Sequence, residues 1–290
     1  MKLNSSAIFH VSVFVSMIFI GFDSNAQFQT GAIAASMGGA GRAFIDPVEA
    51  GSLNPAMIAE VKINHFGLLF NTGDNDSDQD ETLWGITLVD AGLDKSTPGS
   101  FSYFKRSVRE SDSTNTTGEQ FMFSFGKYMR PGFAFGFSGK KLVTIVENSG
   151  SVEFVDYNLD LGFLLNLTQN MSFGLVFYDV FTGREGRQNQ TIAFGSHYHA
   201  RPFFRFVGDI VYLMENNADN KVEIQAGAQI IIRDSMHWAV GYRADGLSSR
   251  NFYTSGLGWK GPRLQFYYTF EANTETSAEK THSLDMRVFF

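Results

Sequence analysis

The most constraining feature of this sequence is a strict alternation of apolar and polar residues that recurs from about residue 61 to the last residue. Two residues is the period of a β-strand with one apolar and one polar side. The last segment ends on an aromatic residue, and one of its faces carries Leu284, Met286, Val288 and Phe290. Outer-membrane barrels commonly end in this way because the barrel assembly machinery reads the last strand. We therefore expect this face to be a barrel-assembly signal.

Fourteen segments of this kind can be marked along the chain. An even number is what a bacterial barrel with both termini on one side of the membrane requires. Residues 63–108 alternate least regularly, so twelve strands remain an alternative. The predicted strands span residues 63–70, 82–89, 100–108, 120–128, 133–146, 152–167, 171–181, 191–200, 203–214, 222–232, 236–243, 251–259, 264–271 and 281–290.

The connections between these segments alternate between two lengths. Tight turns are predicted at residues 130–132, 168–170, 201–202, 233–235 and 260–263. Longer polar loops are predicted at residues 110–119, 147–151, 182–190, 215–221, 244–250 and 272–280. The link at residues 90–99 takes the place of a tight turn in this alternation and is the only one longer than the other tight turns. Outer-membrane barrels have short periplasmic turns and longer external loops. A soluble β-sandwich has no reason to sort its loops in this way, which disfavours that alternative.

The alternation also predicts which face of each strand meets lipid. The apolar faces include Phe121, Phe123, Phe125, Phe133, Phe135, Phe137, Leu159, Leu161, Phe163, Leu165, Ile224, Ile230, Ile232, Leu264, Phe266, Tyr268 and Phe270. The opposite faces carry polar residues that we predict to line the lumen: Asp156, Asp160, His197, His199, Arg205, Asp209, Arg243, Asp285 and Arg287. A polar interior with an apolar exterior is typical of a membrane barrel. The predicted fold class is therefore all-β, a transmembrane antiparallel up-and-down β-barrel of about 14 strands.

Composition agrees with this class. The 290 residues include 30 phenylalanines and 29 glycines, yet after the amino-terminal region no run of about 18 apolar residues could form a spanning helix. The chain has no cysteine, which leaves no disulfide framework. Its formal net charge is −7 and it lacks basic clusters, which argues against a nucleic-acid partner.

The amino-terminal region predicts a signal peptide. Lys2 precedes an apolar stretch from about residue 7 to 22, and Ser24-Asn25-Ala26 gives a small-x-small cleavage pattern. The stretch is shorter than the ~20 apolar residues needed to span a membrane, which disfavours a membrane anchor. We therefore divide the chain into a signal peptide (1–26), a small N-terminal hatch or plug segment (27–60) and an outer-membrane β-barrel (61–290).

The predicted plug carries the motifs of a known family. It contains Met37-Gly38-Gly39-Ala40-Gly41 and ends with Asn54-Pro55-Ala56. Asn54 is a good N-cap and Pro55 a good first residue for a short helix that runs to about residue 60. In this position the motifs resemble those of the FadL-type family of outer-membrane transport proteins, including barrels of the PorV kind. The closing strands of that family are similar to residues 226–228, 240–243, 255–258 and 282–284.

The resemblance implies passive uptake of small hydrophobic molecules through a hatch-gated lumen, with lateral exit through a gap in the wall. The hatch and gating residues would be Gly38, Gly39, Gly41, Arg42, Asp46, Asn54, Pro55 and Ala56. One place for the gap is Pro98-Gly99, although an ordinary turn explains that pair equally well. The implied location is the outer membrane of a Gram-negative bacterium. The implied partners are lipid, lipopolysaccharide, the barrel assembly machinery and a small hydrophobic ligand.

The polar character of the predicted lumen favours a second interpretation. Charged walls suit ion pairs with the plug residues Arg42, Asp46 or Glu49 better than they suit an acyl chain. The alternative is a non-transporting, PorV-like barrel that acts as a scaffold or secretion-system partner and binds a protein. An apolar inner face would favour transport, whereas a lumen filled by the hatch would favour the scaffold.

The sequence gives no sign of catalysis, a cofactor or a metal site. No serine or aspartate accompanies the histidines at a recognisable catalytic spacing. His197 and His199 share a strand face, but two ligands without a third are weak evidence for a metal. The carboxylates at residues 74, 76, 78 and 80 lack the glycine and the glutamate of an EF-hand loop. We therefore expect no enzyme activity.

Overall fold

The computed structural model describes residues 31–44, 46–75, 79–92, 97–109, 114–148, 150–181, 190–200, 202–214, 222–233, 235–246, 249–276 and 279–290. The predicted signal peptide and the first residues of the predicted plug lie outside the described residues. No helix among the described residues is long and apolar enough to cross a membrane.

Fourteen antiparallel strands form a closed barrel in which each strand pairs with the next along the chain and β1 pairs with β14. The strands are β1 (His65–Asn75), β2 (Gln79–Asp90), β3 (Gly99–Arg109), β4 (Asn115–Arg130), β5 (Phe133–Asn148), β6 (Gly150–Asn166), β7 (Met171–Tyr178), β8 (Thr191–Ala200), β9 (Phe204–Leu213), β10 (Val222–Ile232), β11 (Met236–Asp245), β12 (Arg250–Lys260), β13 (Leu264–Asn273) and β14 (Lys280–Phe289). The predicted all-β barrel is confirmed, with fourteen strands rather than twelve.

The two rims of the barrel differ in their connections. We call the end at which β1 begins and β14 ends the terminal rim, and the opposite end the loop rim. Short turns lie at the terminal rim, for example residues 131–132 between β4 and β5, and the link between β2 and β3 is the longer exception that was expected. Several loops predicted at the loop rim are too long. β5 ends at Asn148 and β6 begins at Gly150, only residues 110–114 separate β3 from β4, and only residues 246–249 separate β11 from β12.

The wrong loop predictions have a physical reason. Glu147 pairs with Ser151 across β5 and β6, so polar residues continue the ladder where a loop was expected. Backbone hydrogen bonds need no apolar side chain, and strands can therefore extend past the apolar band of a barrel. The wall is also paired at the predicted gap, because Gly99 lies opposite both Asp90 and Phe125.

The outer face of the barrel carries the predicted apolar side chains. Phe123 is 55% exposed and Ile224 is 50% exposed, as expected for residues on the lipid-facing side of a barrel. On β14 the predicted assembly-signal residues Leu284 and Phe290 are exposed, and Met286 and Val288 on the same face are half-buried.

Residues 31–44 and 46–60 lie inside the barrel, and we call residues 31–60 the plug. They contain helix α1 (Ala32–Ser36), helix α2 (Pro47–Leu53) and a 3₁₀ helix (Pro55–Glu60). Asp46 caps α2 by accepting from the Val48 N–H at 3.3 Å, and a proline occupies the first position of both later helices. The apolar core of the plug contacts inner-wall residues of the terminal half of the barrel, including Ala134, Leu164, Val207 and Ala239.

Candidate functional site

The plug meets the barrel wall at a belt of inward-facing glycines, each on a different strand. A Cβ atom added at any of these glycines would lie closer than 3.0 Å to an atom of the plug. Glycine therefore lets the plug backbone approach the wall backbone directly. Nothing in the local sequence pattern distinguishes these glycines, but their recurrence at inward positions is a signal. The glycine belt consists of Gly67, Gly126, Gly136, Gly162, Gly174, Gly195, Gly227, Gly241 and Gly256.

One side of the plug is anchored by Arg42, which is 1% exposed. Its guanidinium lies 2.9 Å from the carboxylate of Asp209 on β9 and donates to Gln225 at 2.7 Å. The same Asp209 oxygen accepts from the backbone N–H groups of Gly41 and Arg42 at 2.8 and 3.0 Å. Tyr178 accepts from the Arg42 Nε and donates to the Leu53 carbonyl. One Asp209 oxygen thus receives three N–H groups of the plug, which combines charge attraction with hydrogen bonding at a buried ion pair.

The other side of the plug is anchored by Arg287 on β14, which is completely buried. Its guanidinium contacts three carboxylates: Asp46 and Glu49 of the plug, and Asp285 of its own strand. Glu49 also accepts from the N–H groups of Ile33 and Ala34 at 3.1 and 3.0 Å, which joins α2 to α1. Burial raises the pKa of Glu49 to about 7, although attraction to Arg287 opposes that shift. The expected ion pairs between the charged wall and the plug are present.

Asn54 joins the plug to the wall at a third point. Its side-chain nitrogen donates to the carbonyls of Arg42 and Phe163 at 2.7 and 3.1 Å, and its oxygen accepts from the Ala56 N–H at 3.1 Å. The residue therefore caps the 3₁₀ helix and bridges plug and β6 at once. Pro55 and Ala56 place their backbone against Gly136.

We expect the substitution Asn54→Ala to loosen the plug. Loss of the cap costs about 1 kcal/mol, and each buried carbonyl left without a donor costs about 1–3 kcal/mol. The measurement is the rate of protease cleavage within residues 31–60 of the folded barrel. Ser52→Ala is the matched control, because the Ser52 hydroxyl donates only to the Glu49 carbonyl within α2. Equal cleavage of the two variants would contradict the bridging role of Asn54.

The predicted hatch glycines have backbone conformations that other residues rarely adopt. Gly38, Gly39 and Gly41 have φ angles of 72°, 84° and 154°. Gly38 also lies against the backbone of Tyr242 on β11, so a side chain there would meet backbone atoms. These glycines shape the turn between α1 and Arg42 and let it contact the wall.

The remaining predicted lumen residues fall into separate groups. In the terminal half, His197 and Arg205 contact Phe44 of the plug, and His199 lies near His197. Toward the loop rim, Asp160 pairs with Lys140 at 2.8 Å, and Arg243 pairs with Glu271 at 2.6 Å. Asp156 lies on the same face of β6 as Asp160, nearer the loop rim, and is half-buried. Apolar residues also share the inner face, as Val176, Tyr178, Ala193 and Val211 form a cluster.

A pocket remains between the plug and the wall formed by β1, β2 and β3. Its lining combines apolar and polar groups, which are Gly31, Val48, Glu49, Ser52, Gly67, Leu69, Gly85, Thr87, Phe104 and Asp285. The plug side of the pocket is α2, and its wall side carries the side chains of Leu69 and Phe104. Within the described ranges, no group of three or more histidine, cysteine, aspartate or glutamate residues is placed to hold a metal ion.

Comparison with known proteins shows the fold. No protein-family model and no curated protein matches the sequence. The structure is similar to the CymD monoaromatic hydrocarbon channel, with TM-score 0.75 and 13% identity over 91% of this chain and 98% of that chain. It is also similar to the Ralstonia pickettii toluene transporter TbuX, with TM-score 0.74 and 10% identity over 92% and 99% of the chains. A Pseudomonas aeruginosa FadL homologue gives TM-score 0.68 and 10% identity over 90% and 98%. The chain therefore has the fold of FadL-type outer-membrane transport proteins.

Proposed function

We propose that this FadL-type barrel lies in the outer membrane of a Gram-negative bacterium and passively takes up small hydrophobic molecules. The observation that carries the proposal is the likeness over 91% and 92% of the chain to a monoaromatic hydrocarbon channel and a toluene transporter. In this orientation the terminal rim faces the periplasm and the loop rim faces outside. Lipopolysaccharide excludes apolar solutes, so a barrel that carries them past it has a clear use.

We place the passage between the plug and the β1–β3 wall. The pocket lies there, and Val48, Leu69 and Phe104 give it apolar surface. The Asp209 anchor on β9 holds the plug elsewhere, whereas the Arg287 anchor on β14 borders the pocket, because Glu49 and Asp285 line it. A shift of α2 away from β1 that separates Glu49 from Arg287 would widen this pocket. This movement is the gating step of the proposal.

Lateral exit is proposed near Pro98, where β3 begins. Proline has no N–H to donate, and the Pro98 carbonyl accepts from the Gly126 N–H at a long 3.4 Å. The ladder between β3 and β4 pairs Gly99 with Phe125, so an exit here requires the Gly126–Pro98 bond at its end to open. A small opening there would connect the lumen with the lipid.

A reversible disulfide cross-link between the plug and the barrel wall tests uptake and gating together. The chain contains no cysteine, so a Val48→Cys/Gly67→Cys pair would form a single disulfide. A Cβ built on Gly67 lies 3.4 Å from the Val48 Cβ, close to the ~3.5–4.5 Å of natural disulfides. The two atoms nearest to it are the methyl carbons of Val48, which Val48→Cys replaces with one sulfur. We expect the oxidised pair to fix α2 against β1 and close the pocket.

The measurement is uptake of radiolabelled toluene by Gram-negative cells that lack their own FadL-type barrel. We expect the unaltered chain to raise uptake above that of cells with an empty vector. The oxidised pair should return uptake to the empty-vector level, and a reductant should restore it, while the Val48→Cys single variant transports normally. Transport by the oxidised pair would contradict the proposed gating.

No uptake by the unaltered chain would contradict transport itself. The plug inside the lumen favours the scaffold alternative, which would then predict a protein that purifies with the barrel in fixed stoichiometry.

A further inference from the structure

Phe44 of the plug is held by two side chains of the barrel wall. Its ring stacks on His197 of β8, with ring centroids 4.3 Å apart and an interplanar angle of 21°. The guanidinium carbon of Arg205 on β9 lies 4.0 Å from the centroid of the same ring. We call the space that the Phe44 ring fills against these two residues the aromatic slot. It lies in the terminal half of the lumen.

The wall residues of the aromatic slot are fixed by other wall residues. His197 is 5% exposed, and its Nδ1 shares a hydrogen bond with the Ser172 hydroxyl at 3.2 Å. Arg205 donates to the side-chain oxygen of Gln229 at 2.7 Å, and Gln229 is 1% exposed. None of these bonds involves the plug. The wall side of the slot is therefore held by hydrogen bonds that do not depend on Phe44.

The slot selects for aromatic rings by its chemistry. A cation over a ring face is attracted by the quadrupole of the π system, and a stacked imidazole favours another flat ring. A saturated ring of the same size offers neither interaction. Phe44 has the same phenyl ring as a small monoaromatic molecule.

We propose that the aromatic slot is a binding subsite for a monoaromatic cargo, and that Phe44 occupies it as a built-in competitor while the plug is docked. This inference rests on the proposed function and adds a class of cargo to it. A cargo ring in the slot excludes Phe44 and favours the released plug, because a ligand shifts an equilibrium toward the state that it binds better.

Binding of two matched probes to the purified full-length barrel in detergent tests the proposal. Benzyl alcohol has an aromatic ring, and cyclohexylmethanol has a saturated ring of similar size. In Phe44→Ala the slot is free, so we expect benzyl alcohol to bind about 3- to 30-fold more tightly than to the unaltered protein. The affinity for cyclohexylmethanol should rise by a smaller factor. Equilibrium dialysis against empty micelles gives both affinities.

Two further variants separate the slot from general loosening of the plug. Phe44→Tyr keeps a ring in the slot and should bind the probes as the unaltered protein does. Adding Arg205→Gln to Phe44→Ala should abolish the preference for the aromatic probe. Equal gains for both probes, or no gain for benzyl alcohol in Phe44→Ala, would overturn the proposal.

The binding result is independent of transport. Aromatic-selective binding by Phe44→Ala, with no toluene uptake by the unaltered chain in cells, would support the slot and refute the proposed function. Toluene uptake by the unaltered chain, without aromatic-selective binding by Phe44→Ala, would support the proposed function and refute the slot.

Discussion

Replacement of Arg287 by glutamine is expected to release the plug while the barrel stays folded. The Arg287 guanidinium is buried among three carboxylates, and two of these, Asp46 and Glu49, belong to the plug. Removing one partner of a buried ion pair costs about 3–5 kcal/mol, because it leaves uncompensated charge behind. The backbone pairing of Arg287 with Gly67 and Gln265 does not depend on its side chain. The lost free energy therefore weakens docking of the plug and leaves the strand pairing of the barrel intact.

Two measurements on the Arg287→Gln protein report release of the plug. Protease cleavage within residues 31–60 should become fast, and ion conductance in a planar bilayer should rise as the lumen opens. Resistance of the barrel to unfolding in cold detergent should persist. Arg106→Gln is the matched control, since Arg106 pairs with Glu81 at 2.7 Å with a side chain 31% exposed. Such partly exposed ion pairs stabilise a protein by about 0–1 kcal/mol. The plug of the Arg106→Gln protein should therefore stay protected from protease.

A rescue variant shows whether charge is the cause. Neutralising the plug partners with Asp46→Asn and Glu49→Gln in the Arg287→Gln background removes two of the three uncompensated charges and leaves that of Asp285. Partial return of protease protection is expected. If Arg287→Gln alone leaves the plug as protected as in the unaltered protein, the ion-pair anchor does not hold it.

The barrel could be predicted from the sequence because side-chain alternation is a local property of each strand. The strong phenylalanine rows of β4 and β5 mark both their faces and their ends at the terminal rim. At the loop rim the same method failed at residues 147–151, where both faces of the strands are polar. Alternation cannot distinguish a polar strand from a loop, so the ladder between Glu147 and Ser151 was missed.

The chemistry of the site was predictable in its residue types but not in its pairings. Arg42 and Asp46 are unusual in a segment rich in glycine and alanine, and Asn54 before proline indicates a cap. Their wall partners are far away along the chain: 167 residues separate Arg42 from Asp209, and 238 separate Glu49 from Arg287. Alternation places Asp209 and Arg287 on the inner face, but only the closed barrel with the plug inside it brings the partners together.

The glycine belt could not be recognised for a similar reason. A glycine within a strand locally indicates weak pairing or a bulge. Its role here depends on which atoms approach it from across the lumen. At Gly136 those atoms are the backbone of Pro55 and Ala56, whose position is fixed by the Asn54 cap.

The substitution Gly136→Val is accordingly expected to push the 3₁₀ helix off the wall. A Cβ at this position would overlap the Pro55 carbonyl group and the Ala56 nitrogen, and backbone atoms cannot turn aside as a flexible side chain can. Overpacking of this kind costs about 1–3 kcal/mol. That cost raises the fraction of released plug by roughly 5- to 150-fold. Protease cleavage within residues 31–60 and bilayer conductance should both increase.

Gly139→Val on the same strand separates plug contact from any effect of valine on β5. Gly139 faces outward, and a Cβ built there has no atom within 4 Å. Valine suits a pleated strand, so this variant should fold at least as well as the unaltered chain and keep its plug protected. Both glycines lie in the same ladder between β4 and β6, so backbone flexibility predicts equal effects at the two sites. A large effect at Gly136 with none at Gly139 is the result that packing against the plug requires, and equal effects would contradict it.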